Sequence, residues 1–225
     1  MKSLTKSEFE NLIAGAELLK SDGYGPKVYR RPDATYVKLF RQKRILSLSN
    51  LWPYVKRFKN NSLKLKHRGI DTVTVLELYN CQEIERTIVT YSELKGELLR
   101  SALSKQDSPM LAQQLAAFIA DLHKKGIYFR SIHLENIILQ PNNRLGLIDI
   151  ADMRIRYFTL NPLRRVRNLC HMLKYQEDNG ILSVNGRLDS FLNNYLASAQ
   201  LGFINKYLFT FFVRKYIEPD FVPAT

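Results

Sequence analysis

Several absences narrow what this chain can be. It has two cysteines in 225 residues, Cys81 and Cys170. Two are too few for a disulfide framework, and their strand-like and helix-like surroundings fit reduced, buried thiols of a cytosolic protein. No apolar run approaches the roughly 18 residues of a membrane-spanning helix. The greasiest patch, Tyr207-Leu208-Phe209-Thr210-Phe211-Phe212-Val213, is too short. The first residues, Met1 to Glu8, contain no apolar signal region. Four scattered histidines and two cysteines do not make a zinc site. There is no internal repeat and no low-complexity segment. Helix-turn-helix, zinc-finger and aromatic RNA-binding signatures are also missing, which makes nucleic acid an unlikely partner.

Acidic residues are scarce: 21 Asp and Glu stand against 34 Lys and Arg, a formal net charge of +13. None lies between Lys38 and Asp71. An excess of this size implies an anionic partner, whether nucleic acid, an anionic membrane surface or a phosphorylated glycan, or else a plain soluble basic surface.

The chain is 45% hydrophobic, enough to bury a core in one domain or in two small lobes around one cleft. Residues 8–20 carry Phe9, Leu12, Ile13 and Ala16 at helical spacing, which predicts a helix. Ser21 to Pro26 breaks it, and the Gly23/Gly25 pair reads as a turn ahead of the first strand. Strands are predicted at 27–30 and 35–40, joined by the turn Arg31-Pro32-Asp33-Ala34, which is better placed to cover phosphates but has no glycine. A basic cluster runs from Arg41 to Arg44. Asn50 can cap a helix with Pro53 in its first turn that ends at Gly69. Its apolar face is Trp52, Val55, Phe58, Leu63 and Leu65, and its other face is dense in lysine and arginine. Strands follow at 71–80 and 86–91, then a linker at 93–97. Pro109 opens a strongly amphipathic helix with Leu111, Leu115, Phe118, Ile119 and Leu122 in one stripe, closed by Gly126. His123 near its end reads as a packing or capping residue. Helices are also predicted at 163–174, 188–199 and 203–216.

The chemistry concentrates in one stretch. Tyr128-Phe129-Arg130-Ser131-Ile132-His133-Leu134-Glu135-Asn136 reads as a short loop leading into the apolar run Ile137-Ile138-Leu139. The polar break Gln140 to Arg144 is a turn signal, and Leu147-Ile148 then delivers Asp149. Paired as a hairpin, the two runs bring Asn136 and Asp149 to one end. An amide oxygen and a carboxylate placed together can share a magnesium ion, a hard cation that takes oxygen ligands and substrate phosphates.

This layout resembles the catalytic centre of the protein-kinase-like superfamily, in which H-R-D-x-x-x-x-N precedes a hairpin ending in D-F-G. Phe129-Arg130-Ser131 falls on H-R-D, Asn136 on the metal-binding Asn, and Asp149-Ile150-Ala151 on D-F-G. Tyr36-Val37-Lys38-Leu39-Phe40 is similar to the strand whose lysine meets the α- and β-phosphates of ATP. Read alone, that segment is better taken as an alternating strand with Lys38 on its wet face; the downstream loop and Asp149 reverse that preference. The resemblance implies an α+β, protein-kinase-like two-lobe fold. An antiparallel-sheet N-lobe would span about residues 1–92, a hinge 93–97, and a mainly helical C-lobe 98–225. Two departures stand out. Ser131 occupies the place of the catalytic Asp, and the segment that would supply an acidic partner for Lys38 has no acid.

Leu51-Trp52-Pro53-Tyr54-Val55-Lys56-Arg57-Phe58, His67-Arg68-Gly69-Ile70 and the 128–139 loop look like the bacterial lipopolysaccharide kinase group, which phosphorylates Kdo or heptose sugars of the inner core. That resemblance implies ATP and Mg2+ as cofactors, with Asn136 and Asp149 on the metal and Lys38 on the phosphates. Arg130 would steady the loop or the transferring group. Ser131 would hydrogen-bond the acceptor hydroxyl, with His133 and Asp152 as substitute bases and Glu135 turned away. It also implies a cytoplasmic protein that meets an anionic, lipid-linked glycan at the inner face of the bacterial inner membrane. The departures keep open a second class, a pseudokinase that binds or regulates without phosphotransfer.

Overall fold

The computed structural model describes residues 1–42, 53–105, 108–183 and 187–223. Asn50, proposed as a helix cap, and Trp52, placed on the helix face, lie outside the described residues, as do Lys43 and Arg44 of the basic cluster. The chain divides into two compact units, Met1–Leu94 and Lys95–Thr225. No helix among the described residues is long and apolar enough to cross a membrane.

The first unit is built on a six-stranded mixed sheet. Its elements are β1 (Lys2–Ser3), α1 (Lys6–Leu12), β2 (Glu17–Asp22), β3 (Gly25–Arg30), β4 (Thr35–Arg41), α2 (Tyr54–His67), β5 (Asp71–Thr72), β6 (Thr74–Cys81) and β7 (Arg86–Ser92). The sheet order is β1-β6-β7-β4-β3-β2, antiparallel except for β1 against β6. The central strand β4 is covered on both faces. Val37 and Leu39 join Phe9 of α1, Cys81 and Ile88 in one buried cluster. On the other face the ring of Phe58 from α2 lies 6.1 Å from Phe40 and 5.3 Å from Tyr91.

Two predictions in this unit need correction. The helix expected over residues 8–20 stops at Leu12. Thr5 caps it in a reciprocal capping box with Glu8, and the chain then turns through Gly15 at φ +69° into strand β2. Every residue of β2 is exposed, so it lacks the one-sided alternation that marks a half-buried strand. In consequence the Gly23/Gly25 pair does not precede the first strand. Gly23 and Tyr24 form the two-residue turn of the β2–β3 hairpin, where Asp22 pairs with Gly25.

Helix α2 ends as the sequence suggests. Arg68 is its cap, the Gly69 amide bonds the Lys66 carbonyl, and the Ile70 amide bonds the Leu65 carbonyl. This pair of bonds is a Schellman closure. Its buried face is Val55, Phe58, Asn61, Ser62 and Leu65. Leu63, expected on that face, is half exposed. Ser62 takes the inward position because its hydroxyl can donate to the Val73 carbonyl at 2.7 Å.

The second unit is mainly helical. It comprises β8 (Glu97–Leu98), α3 (Leu99–Lys105), α4 (Pro109–Lys124), β9 (Ile127–Phe129), β10 (Ile137–Leu139), β11 (Leu145–Leu147), β12 (Met153–Ile155), α5 (Pro162–Leu173), α6 (Gln176–Ser183), α7 (Arg187–Ala199) and α8 (Phe203–Tyr216). Helix α4 is capped by Ser108, which accepts from the Leu111 amide, with Pro109 in its first turn. It buries Leu111, Leu115, Ile119 and Leu122. Gly126, at φ +73°, then brings the chain so close to Arg156 and Phe158 that a Cβ would stand 2.5 Å from their carbonyl oxygens.

Candidate functional site

Two short antiparallel pairings position the loop that holds the candidate residues. Strand β9 pairs with β12, Phe129 opposite Met153 and Tyr128 opposite Arg154. Strand β10 pairs with β11, Ile137 opposite Leu147. The Ile148 amide continues that ladder by bonding the Asn136 carbonyl at 3.0 Å. Asn136 and Asp149 therefore leave the same end of one hairpin, one residue out of register.

Asn136 is buried. Its Nδ2 donates to the Ser131 carbonyl at 2.8 Å and lies 3.0 Å from Nε2 of His133. An amide nitrogen only donates, so Nε2 must accept, which places the His133 proton on Nδ1. With both amide hydrogens engaged, the side-chain oxygen of Asn136 is the atom left to take a cation. Asp149 sits at φ 52°, ψ 43°, a left-handed conformation, ahead of a 3-10 turn over Ile150–Asp152. A non-glycine residue there costs roughly 1–2 kcal/mol, strain of the kind that concentrates where a side chain must be aimed. Among the described residues no group of three or more His, Cys, Asp and Glu could hold a metal. The donors here, one amide oxygen and one carboxylate, suit magnesium, which keeps waters and phosphate oxygens and needs few protein ligands.

The other loop residues have defined partners. The Arg130 amide bonds the Asp152 carbonyl at 3.1 Å, and its guanidinium stands 3.9 Å from the Asp152 carboxylate. The Ser131 carbonyl takes the Asn136 amide, as above. His133 packs its ring 4.8 Å from Tyr175, and its acceptor nitrogen is occupied by Asn136. Glu135 turns to Arg100, 2.9 Å away.

In the first unit Lys38 is buried, 5% exposed, so it has no wet face to lie on. It pairs with Val28 on the strand that leaves the Gly23–Tyr24 turn and with Val89 of β7. Its ammonium lies 5.7 Å from the Phe40 ring centre and 5.9 Å from that of Phe58. Aromatic faces thus stand beside it on the side where α2, lacking any acid, offers no carboxylate.

Three supports of the loop escape sequence reading. Asp178, fully buried, accepts from the Leu134 amide at 2.8 Å and from Nε of Arg100 at 2.7 Å. Asn168, also buried, brackets Phe129: its Oδ1 accepts from the Phe129 amide and its Nδ2 donates to the Phe129 carbonyl. Behind it runs a buried relay. Arg165 donates to the Tyr195 hydroxyl at 3.0 Å, and that hydroxyl lies 2.7 Å from Nδ1 of His123. Nε2 of His123 then lies 3.2 Å from Asn168 Oδ1. One assignment satisfies every member: Tyr195 donates to Nδ1, and Nε2–H donates to Asn168. Burial first, and the Arg165 charge second, push His123 down to about 3. Burial also pushes the Tyr195 hydroxyl up. His123 is thus a packing residue, as its place at the helix end suggests. Asn168 and Asp178 carry no local spacing signal, because their partners lie 39 and 44 residues away.

The chain matches no protein-family model and no curated protein. It is similar in structure to a divergent kinase lacking the glycine-rich loop that regulates membrane ultrastructure of the Toxoplasma parasitophorous vacuole. That likeness has a TM-score of 0.50 and 15% identity, over 99% of this chain and 88% of that one. It also resembles WbdD bound to a kinase inhibitor (TM-score 0.49, 16% identity, 84% of this chain) and monomeric WbdD (0.48, 16%, 82%). It spans only 42% and 43% of the length of those two chains. The first likeness, which runs through almost the whole chain, defines the class: this is an α+β protein with a protein-kinase-like fold.

Proposed function

We propose that this protein is an ATP-dependent phosphotransferase acting on a sugar hydroxyl of the lipopolysaccharide inner core, the activity of the Kdo and heptose kinases. The observation that carries the reading is the hairpin end at Asn136 and Asp149. There a fixed amide oxygen and a carboxylate on strained backbone form a donor set suited to magnesium on the phosphates of ATP. Bound magnesium would neutralise phosphate charge and orient the transferring group. Lys38 supplies a desolvated cation for the phosphates, and Arg130 steadies the loop through Asp152. Ser131 hydrogen-bonds the acceptor hydroxyl.

Phosphoryl transfer passes through a loose transition state in which positioning and electrostatics carry most of the rate. A serine in place of the usual base therefore costs rate, on the order of 10²–10⁴-fold, without abolishing the reaction. His133 is the weaker substitute base, because its acceptor nitrogen is held by Asn136. Asp152, beside Arg130, is the better one. A basic chain of net charge +13 suits an anionic, lipid-linked acceptor and peripheral contact with the cytoplasmic face of the inner membrane.

Ser131 and the acid-free α2 also favour a second reading, a pseudokinase that binds or regulates in envelope biogenesis. Transfer of labelled γ-phosphate to purified core glycan separates the two. The kinase reading predicts labelling that Asp149→Ala abolishes. No labelling of any core acceptor would leave the pseudokinase.

A further inference from the structure

The second unit contains a cavity of about 780 Å³ with five arginines in its wall: Arg130, Arg154, Arg156, Arg164 and Arg167. They come from three places. Arg130 follows β9, Arg154 and Arg156 lie on and just after β12, and Arg164 and Arg167 are three residues apart on α5. Tyr128 and His171 line the same space, joined by a 3.0 Å hydrogen bond between the tyrosine hydroxyl and Nε2. None of the lining residues is acidic. Outside the wall, the Asp152 carboxylate lies 3.9 Å from Arg130.

Gathering five guanidinium groups around one space is unfavourable for the protein alone, because like charges repel and the lining itself holds no carboxylate. The field is felt by His171, which burial lowers first, followed by Lys174, Arg130 and Arg167. A basic surface that served only solubility would spread its charge and mix in acids. Converging arginines are the arrangement that recognises phosphate, since each planar fork can give two parallel N–H bonds to two oxygens. The volume lies within the range of small-molecule sites and exceeds what a single inorganic anion needs.

We propose that this cavity binds a phosphomonoester-bearing ligand with at least two negative charges, held chiefly by Arg154, Arg164 and Arg167. The site lies wholly in residues 95–225 and does not depend on nucleotide binding, so it stands or falls apart from the phosphotransfer reading.

The test is calorimetric titration of the full chain with inorganic pyrophosphate, with EDTA present so that no magnesium–nucleotide site can respond. The wild type should bind. The double variant R164A/R167A should bind about tenfold more weakly or worse, the loss of charge-assisted hydrogen bonds to phosphate. A charge-matched control on the exposed face of α2, K56A/K59A, should bind like the wild type. Flotation with phosphatidylcholine vesicles containing either phosphatidic acid or phosphatidylserine identifies the source, because only phosphatidic acid is a phosphomonoester. A preference for phosphatidic acid that R164A/R167A removes places the phosphate on a lipid. Arginine-dependent pyrophosphate binding without that preference places it on a soluble molecule. The proposal is overturned if R164A/R167A binds pyrophosphate as the wild type does, or if K56A/K59A loses binding equally. Absence of both pyrophosphate binding and phosphatidic acid preference overturns it as well.

Discussion

Acid should loosen this protein at His123, its fully buried histidine. His123 is fully buried and held at about 3, against an ordinary 6.5, by burial and then by Arg165. In the unfolded chain it titrates near 6.5. Between those two values the unfolded state binds one proton more than the folded state. The stability that neutral His123 contributes is therefore fully present above pH 6.5. It is lost at about 1.4 kcal/mol per pH unit as pH falls toward 3, where the loss levels off. From pH 7 to pH 5 this group alone should cost about 2 kcal/mol.

Urea unfolding at the two pH values measures it, on the wild type and on His123→Gln. Glutamine keeps a polar amide at the position and removes the titration. Whatever the substitution costs at pH 7, the drop in unfolding free energy between pH 7 and pH 5 should be smaller in the variant by about 2 kcal/mol. The other histidines, His67, His133 and His171, are common to both proteins and cancel from the difference. Equal drops in the two proteins would refute the buried, neutral His123 and with it the Arg165–Tyr195–His123–Asn168 relay.

The loop anchor and the tight approach before α3 give two more expectations. Asp178→Ala leaves the buried Leu134 amide without its acceptor and takes one of three carboxylates from Arg100, which keeps Glu135 and Glu177; it should cost about 2 kcal/mol. Asp178→Asn, which can still accept from Leu134, should cost less. An alanine cost below about 1 kcal/mol, the scale of exposed ion pairs, would remove Asp178 as an anchor. Gly96 adopts φ +148°, and a Cβ there would stand 2.3 Å from the Leu139 carbonyl oxygen and 2.6 Å from Ile138 Cγ2. Gly96→Ala should therefore cost more than the roughly 1 kcal/mol of the dihedral alone, read as a clear drop in melting temperature. Gly23→Ala, with nothing within 4 Å, should leave it nearly unchanged; equal effects at the two glycines would contradict the packing described at Gly96.

Legibility in the sequence followed the range of the forces involved. Helix α4 was readable because its apolar stripe, serine cap and terminal glycine are all local. So was the β10–β11 hairpin, whose apolar runs flank an obvious turn and lead to Asp149. Strand β2 is hidden because it is exposed on both faces and so gives no alternation to set against the helical spacing of Phe9, Leu12, Ile13 and Ala16; the place of Gly23 and Gly25 is lost with it. The short helices α3 and α6 escaped prediction: two or three buried residues each give too little periodicity. In α2 the inward turn of Ser62 depends on a carbonyl at Val73, beyond the helix itself. The candidate site divides in the same way. Asn136 and Asp149 could be paired from spacing, and Arg154, Arg156, Arg164 and Arg167 could be seen as charges. That those arginines share one wall, and that Asp178 and Asn168 hold the loop, are consequences of contacts across dozens of residues.

The claim that matters most is that Asn136 and Asp149 form a magnesium–nucleotide site. Thermal unfolding with ATP, with and without magnesium, tests it in the wild type and in Asp149→Ala. Ligand that binds only the folded state raises the melting temperature, by about 2.7 kcal/mol of added stability at a hundredfold excess over Kd. A magnesium-dependent rise is expected in the wild type and should be lost in Asp149→Ala. No rise in the wild type, or a rise that persists undiminished in the variant, would contradict it.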